Sequence, residues 1–276
     1  MRLMLVLLLM AGSYAQAGDA NMRELFAPYQ TLLEQHLEER PLPHDGLVTA
    51  FDYAAAAAAA ETRPLLTEQR RRLAEFDPQS LATRDAALSF WLNAYNYFMI
   101  DYILDHPQRG QIVGSVRDFG NLFNPYRVFR QSAFDVGGRK YSLDEMEKGI
   151  LLGEGYKARG WKDARVHFAV NCASVGCPPL RQTIYLPSAV DAVLTDNTRR
   201  ALNTERHLRV DGNTLHLTRL FDWYEADYVE AAGSVRDFIL AYADERVRRQ
   251  VERSERIAFV EYDWSLNSPE NFPEFR

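Results

Sequence analysis

The stretch from Thr83 to Asp105 constrains this chain more than any other. Ala87, Leu88, Phe90, Trp91, Leu92, Ala94, Tyr95, Tyr97, Phe98, Met99 and Ile100 fall on every side of a helical wheel. A helix that is apolar all round has no solvent face, so other elements must cover it completely. Two amides, Asn93 and Asn96, interrupt it three residues apart and lie on one side. A buried amide left without partners costs about 1–3 kcal/mol. That side therefore meets a polar network, a loop backbone or a site. Pro107 ends the helix.

The rest of the chain supplies the cover. Before the central helix, Leu25, Phe26, Tyr29, Leu32, Leu33 and Leu37 recur at helical spacing behind Asn21, a candidate cap. The Pro41–Gly46 stretch ends that helix. Ala54 to Ala60 reads as a plain helix, since alanine is the best helix former. Pro64 either interrupts it or starts the next helix, Leu65 to Phe76. After the central helix, Gly137-Gly138 joins Ala133–Val136 to Arg139–Tyr141 as a tight hairpin. Ser142 and Glu145 form a capping box for a short helix to Leu151.

Arg165 to Val170 reads as a strand, with Val166, Phe168 and Val170 on one face and His167 and Ala169 on the other. Ser188 with Asp191 opens a helix to Leu202. A second hairpin turns at Asp211-Gly212, and Thr218 caps a helix through Tyr228. Ser234 opens a last helix, Val235 to Glu252, and Ile257–Tyr262 is the final strand. The order predicts α+β: a single domain with a small, mainly antiparallel sheet packed with several helices, one of them the buried central helix. Its parts are a leader over 1–17, an N-terminal helical extension over 18–50, the main domain over 51–267 and a loosely wrapped polar tail over 268–276.

Met1-Arg2, the apolar run Leu3–Met10 and Ala15-Gln16-Ala17 have the form of a cleavable secretory signal, with cleavage expected after Ala17. The run is too short to span a membrane, and no cysteine follows it to carry a lipid anchor. The expected location is periplasmic or secreted, without a membrane anchor. A formal charge of −6 argues against a nucleic-acid partner, which calls for a net basic face.

The chemistry concentrates in His167–Thr183, which holds both cysteines, Cys172 and Cys177, with His167 five residues before the first. One reading is thiol catalysis. A cysteine nucleophile needs a base or cation to hold it as thiolate, and the base needs an orienting partner. Cys172 or Cys177 would be the nucleophile, His167 the base, and Asn93, Asn96 or Asp263 the orienter, with Asn171, Ser174, Trp264 and Asn267 around the substrate. Residues five apart on a strand point to opposite faces, so His167 meets Cys172 only if the chain turns after Val170. The other reading is a disulfide closing a six-residue loop, worth about 2–3 kcal/mol at most by chain-closure entropy. Two further readings fit less well. A metal site lacks a fourth ligand, because His36, His44, His106, His207 and His216 do not cluster. A redox dithiol ordinarily has Cys-x-x-Cys spacing. No cofactor is called for.

Other polar and aromatic residues have ordinary assignments. Trp223, Tyr224 and Trp264 read as core or rim packing, Glu225 and Asp227 as a solvated helix face, and His207 and His216 as surface residues of hairpin strands.

Four motifs carry a resemblance: Phe90-Trp91-Leu92-Asn93-Ala94-Tyr95-Asn96; Val166–Ser174 with Cys177-Pro178-Pro179-Leu180; Trp223–Tyr228; and Tyr262–Asn267. In this order they resemble the "domain of unknown function 547" family over Phe51 to Asn267. The resemblance supports the boundaries and supplies no reaction. A buried helix against a small sheet is also loosely reminiscent of papain-like and transglutaminase-like folds. There, however, the nucleophilic cysteine opens the central helix, and here that helix has none. The functional expectation is a cysteine-dependent hydrolase or acyl-transferase acting on a small-molecule or peptide ligand. Its alternative is a non-catalytic binding or scaffold domain with a structural disulfide.

Overall fold

A computed structural model describes residues 16–276. The expected leader lies outside the described residues except for Gln16 and Ala17, which lie in a helix that runs to Leu25. Asn21 falls inside that helix and so caps nothing.

The central helix spans Arg84–Asp105, capped by the Thr83 hydroxyl on the Ala86 amide, and it is buried without a break from Ala87 to Asp101. Its cover is mostly helical. Met22, Phe26, Tyr29, Leu32 and Leu33 from the N-terminal helices join the same core as Phe90, Tyr97 and Met99. The helix Thr62–Glu75 adds Leu66 and Leu73. Pro64 therefore belongs to the start of this helix, and the alanine helix ends earlier, at Ala58. Where Arg70 meets the central helix, its Nε donates to both carboxylate oxygens of Asp101 at 2.8–2.9 Å.

Strands are short and form three separate small sheets among the described residues. β1 (Leu37–Pro41) and β2 (Leu47–Phe51) pair antiparallel, from Leu37 opposite Phe51 to Pro41 opposite Leu47. The extension expected to be helical over 18–50 therefore also contributes a strand pair. β2 is buried at every position, Thr49 included, and such a short run carries no period to reveal it. β3 (Phe134–Val136) and β4 (Arg139–Tyr141) form the expected hairpin. Gly137 and Gly138 both have positive φ, +60° and +74°, the left-handed pair that a primed turn requires.

A Cβ at Gly137 would stand 2.8 Å from the Phe76 carbonyl oxygen and 2.9 Å from Pro78, whereas at Gly138 it would meet nothing within 4 Å. Gly138→Ala is expected to lose only the left-handed penalty, about 1–2 kcal/mol. Gly137→Ala should lose measurably more, because it also pushes on the end of a helix. Urea unfolding of the two variants side by side checks the order.

The third sheet holds β5 (Leu208–Asp211), β6 (Thr214–Leu217) and β7 (Arg256–Phe259), with β5–β6 antiparallel and β6–β7 parallel. The β5–β6 turn is Gly212-Asn213, one residue later than expected, since Asp211 pairs with Thr214. Around this sheet a second apolar cluster forms from Phe168, Leu202, Leu215, Phe221, Tyr228, Phe238, Val247 and Val251. The helix expected over Val235–Glu252 is two helices, Val235–Tyr242 and Glu245–Arg253. Asp244 breaks it by turning its carboxylate onto the Val247 amide as a new cap. The helix after Thr218 likewise splits at Tyr224 into Leu220–Trp223 and Glu225–Ala232.

The expected strand Arg165–Val170 is instead a 3-10 turn over Ala164–Phe168, capped by Asp163 on the Arg165 amide. A strand would have put Val166 and Phe168 on one face. The turn sends Val166 into the first core and Phe168 into the second, with His167 buried at the junction. The polar tail is also anchored. Phe272 is buried against Val48, Ala50 and Val175, and Arg206 grips Glu274 with two bonds of 2.8 Å. No helix among the described residues is long and apolar enough to cross a membrane.

Candidate functional site

Val170 leads out of the 3-10 turn into the cysteine loop, and the amides of the central helix hold both ends of that passage. Asn96 donates to the Ala169 carbonyl at 2.9 Å and accepts from the Asn171 amide at 2.8 Å. Asn93 does the same for Tyr185, donating to its carbonyl and accepting from its amide, both at 2.8 Å. The two amides therefore clamp loop backbone and do not touch His167.

Asn171 closes the loop from inside. Its side chain accepts from the Ala173 amide at 2.9 Å and donates to the Pro178 carbonyl at 2.8 Å. Ala173 sits at φ +59°, a left-handed conformation that costs an L-residue about 1–2 kcal/mol. Asn267 locks it there, donating from its side chain to Asn171 at 3.2 Å and from its backbone to the Ala173 carbonyl at 3.1 Å. The run Asp263–Asn267 pairs along the loop as well. The Val175 amide donates to the Ser265 carbonyl and the Gly176 amide to the Asp263 carbonyl, both at 2.9 Å. Asp263 uses its carboxylate on the Ser265 amide; its side chain supports a turn and does not orient His167.

Within this frame the sulfurs of Cys172 and Cys177 lie at disulfide distance, with their Cα atoms 6.2 Å apart. His167 is not hydrogen-bonded to either. Its Nε2 lies 2.8 Å from Asp227 Oδ2, its Nδ1 faces Glu147 Oε1 at 3.7 Å, and its ring stacks on Tyr224 at 4.0 Å. Burial alone would lower the imidazole pKa. The hydrogen bond to Asp227 and the charge of Glu147 outweigh burial and hold it above the ordinary histidine value. Asp227 is driven down to about 2, first by His167 and then, against some burial, by Lys162, whose Nζ is 2.7 Å away. The group is a buried imidazole set between two acidic side chains, Asp227 and Glu147.

Asp227 was read from sequence as a solvated residue, and this pairing corrects that. Glu147, on the helical turn Glu145–Leu151, carries no sequence signal for this role. Its position opposite His167 depends on contact between segments 20 residues apart, which spacing does not reveal. His207 is corrected too. It is buried, bonds Thr204 Oγ1 at 2.7 Å through Nδ1, and is pushed down to about 4 by burial and then by Arg206.

His167, Glu147, Asp227 and both cysteines border one cleft of about 640 Å³. Its walls are aromatic: Tyr95, Tyr126, Trp223, Tyr224, Tyr262 and Trp264. Trp223, Tyr262 and Trp264 pack ring to ring at 4.6–5.9 Å, and Trp223 keeps 44% of its surface exposed. The three aromatics assigned to packing, Trp223, Tyr224 and Trp264, thus line the cleft. Among the described residues no group of three or more His, Cys, Asp and Glu is placed to hold a metal ion.

No curated protein and no solved structure matches the chain. Residues 78–202 match the family described as "Protein of unknown function, DUF547". The matched segment carries the central helix with Asn93 and Asn96, Glu147, His167 and the whole cysteine loop, and over that segment the chain is similar to this family of unknown function.

Proposed function

We propose that this is an exported, non-catalytic binding domain whose aromatic cleft takes a small-molecule or peptide ligand. The supporting observation is the cleft itself. Its volume falls within the usual range for ligand pockets, and such pockets combine apolar and aromatic walls with a few placed polar groups. Here the rings would cover the apolar body of a ligand, and Glu147 with the tyrosine hydroxyls would orient its polar end. The cysteine loop forms part of the wall, fixed by its disulfide and by the amide clamps.

The thiol-hydrolase reading has less support. A nucleophile must exist as thiolate beside a base, whereas the two sulfurs are at disulfide distance and His167 is held between carboxylates.

Intact mass after alkylation, with and without prior reduction, separates the two. The binding reading expects no alkylation until reductant is added. If both thiols alkylate without reductant, the hydrolase reading replaces it. A thermal-shift screen of small molecules and short peptides then tests the cleft. Ligands that raise the melting temperature should lose at least tenfold in affinity for Trp223→Ala, and ligands indifferent to that change bind elsewhere.

A further inference from the structure

We propose that the Cys172–Cys177 bond is a thiol–disulfide exchange centre, open from the cleft to a thiol-bearing ligand. This goes beyond the binding reading, since it requires only that a thiol reach Cys172, whatever else the cleft holds.

Three hydrogen donors are gathered on the two sulfurs. The Cys172 amide points at Cys177 Sγ at 3.0 Å. The Tyr262 hydroxyl lies 3.2 Å from each sulfur. The Ser174 hydroxyl lies 2.9 Å from Cys172 Sγ and 3.4 Å from Cys177 Sγ. A neutral disulfide sulfur is a weak acceptor. Hydrogen bonds to an ionised acceptor are about twice as strong as neutral ones. Donors placed this way favour the reduced pair over the oxidised one, and a stabilised reduced form makes a disulfide more oxidising.

The donors are fixed in place. Burial keeps the Tyr262 phenol above its ordinary pKa, so it retains its proton. Gly176 makes room for that ring, since a Cβ there would stand 2.9 Å from two of its carbons. Ser174 is buried, and its neighbour Val175 is held by the Ser265 carbonyl.

Access differs between the sulfurs. Cys172 is half-buried and Cys177 is buried, while both border the cleft. Cys177 has all three donors within reach and is the better leaving group.

The step balances as follows. A ligand thiolate attacks Cys172 Sγ and forms a mixed disulfide. The Cys172–Cys177 bond breaks, and its electron pair leaves on Cys177 as a thiolate that accepts from the Cys172 amide, Tyr262 and Ser174. A second ligand thiol, after losing its proton, attacks the ligand sulfur and releases Cys172 as thiolate. Two ligand thiols become one disulfide, the cysteine pair gains two electrons, and the released protons go to solvent or to the new thiolates.

The test uses the full chain, equilibrated in glutathione buffers of graded ratio, quenched in acid, alkylated and weighed intact. The wild-type pair should equilibrate with glutathione. Tyr262→Phe and Ser174→Ala should each shift the equilibrium about tenfold toward the oxidised form, or about 30 mV for a two-electron couple. Circular dichroism melts confirm that each variant is folded, and Ser174→Ala carries the test if Tyr262→Phe is not. The proposal is overturned if the wild-type midpoint equals that of the same chain in concentrated urea, or if the folded variants keep the wild-type midpoint. In that case the bond only closes the loop.

Discussion

Replacing His167 by alanine is expected to cost about 3–5 kcal/mol in urea unfolding at pH 7, the usual result of removing one partner from a buried charge pair. The imidazole has no exposed surface and sits between Asp227 and Glu147. Without it, Glu147 would keep a buried carboxylate with no cation in contact, whereas Asp227 would still have Lys162. His167→Gln preserves more of the volume and should still lose most of that amount. A loss under 1 kcal/mol for both variants would mean that the folded chain holds His167 neutral.

The same pair sets a pH signature. The folded pKa of His167 is raised. Its contribution is therefore complete below the unfolded value, about 6.5, and disappears as pH rises through the folded value. His207 works with the opposite sign. Its pKa is lowered to about 4, so it favours unfolding as pH falls from about 6.5 toward 4, and His36 pushes the same way. Asp227, lowered to about 2, stabilises above its ordinary value and loses that contribution as pH falls through about 2. Stability measured against pH should decline above about 6.5 in the wild type. His167→Gln should remove that decline, weaken the Asp227 contribution at the acid end, and leave the His207 slope in place.

Asn96→Ala should lose about 2–6 kcal/mol. The side chain is 2% exposed and bonds the Ala169 carbonyl and the Asn171 amide. Truncation strands both groups in the interior, at about 1–3 kcal/mol each. It should also free the start of the cysteine loop, so hydrogen exchange at Asn171 ought to accelerate. Asn96→Asp is the sharper control, since a carboxylate keeps the acceptor for the Asn171 amide and loses the donor to Ala169. It should fall between wild type and alanine in stability near neutral pH if the two bonds act separately. A loss under 1 kcal/mol for Asn96→Ala would mean that the loop is held by Asn171 and Asn267 alone.

Local rules were enough for the parts of the fold whose signals are local. Seventeen buried helix positions left no other place for Arg84–Asp105 than the core, and the partners of Asn93 and Asn96 are the loop backbones that buried amides require. Gly137-Gly138 specifies its own turn. Failures arose where a segment serves two neighbours. The residues Val166 and Phe168 alternate like a strand, yet they belong to different apolar clusters on either side of a helical turn. β2 is buried on both faces and shows no alternation.

Residue pattern alone requires that one helix be enclosed, that its amides find polar partners, and that the cysteine segment be the chemically dense part of the chain. Only the tertiary structure decided what surrounds each of those groups. It set His167 against Asp227 and Glu147, separated by 60 and 20 residues in the chain. It also brought Tyr262 onto both sulfurs across a separation of 85–90 residues. The physical reason is that electrostatic and hydrogen-bond partners are fixed by distance in space, and the packing of two apolar clusters, not spacing along the chain, brings these side chains together.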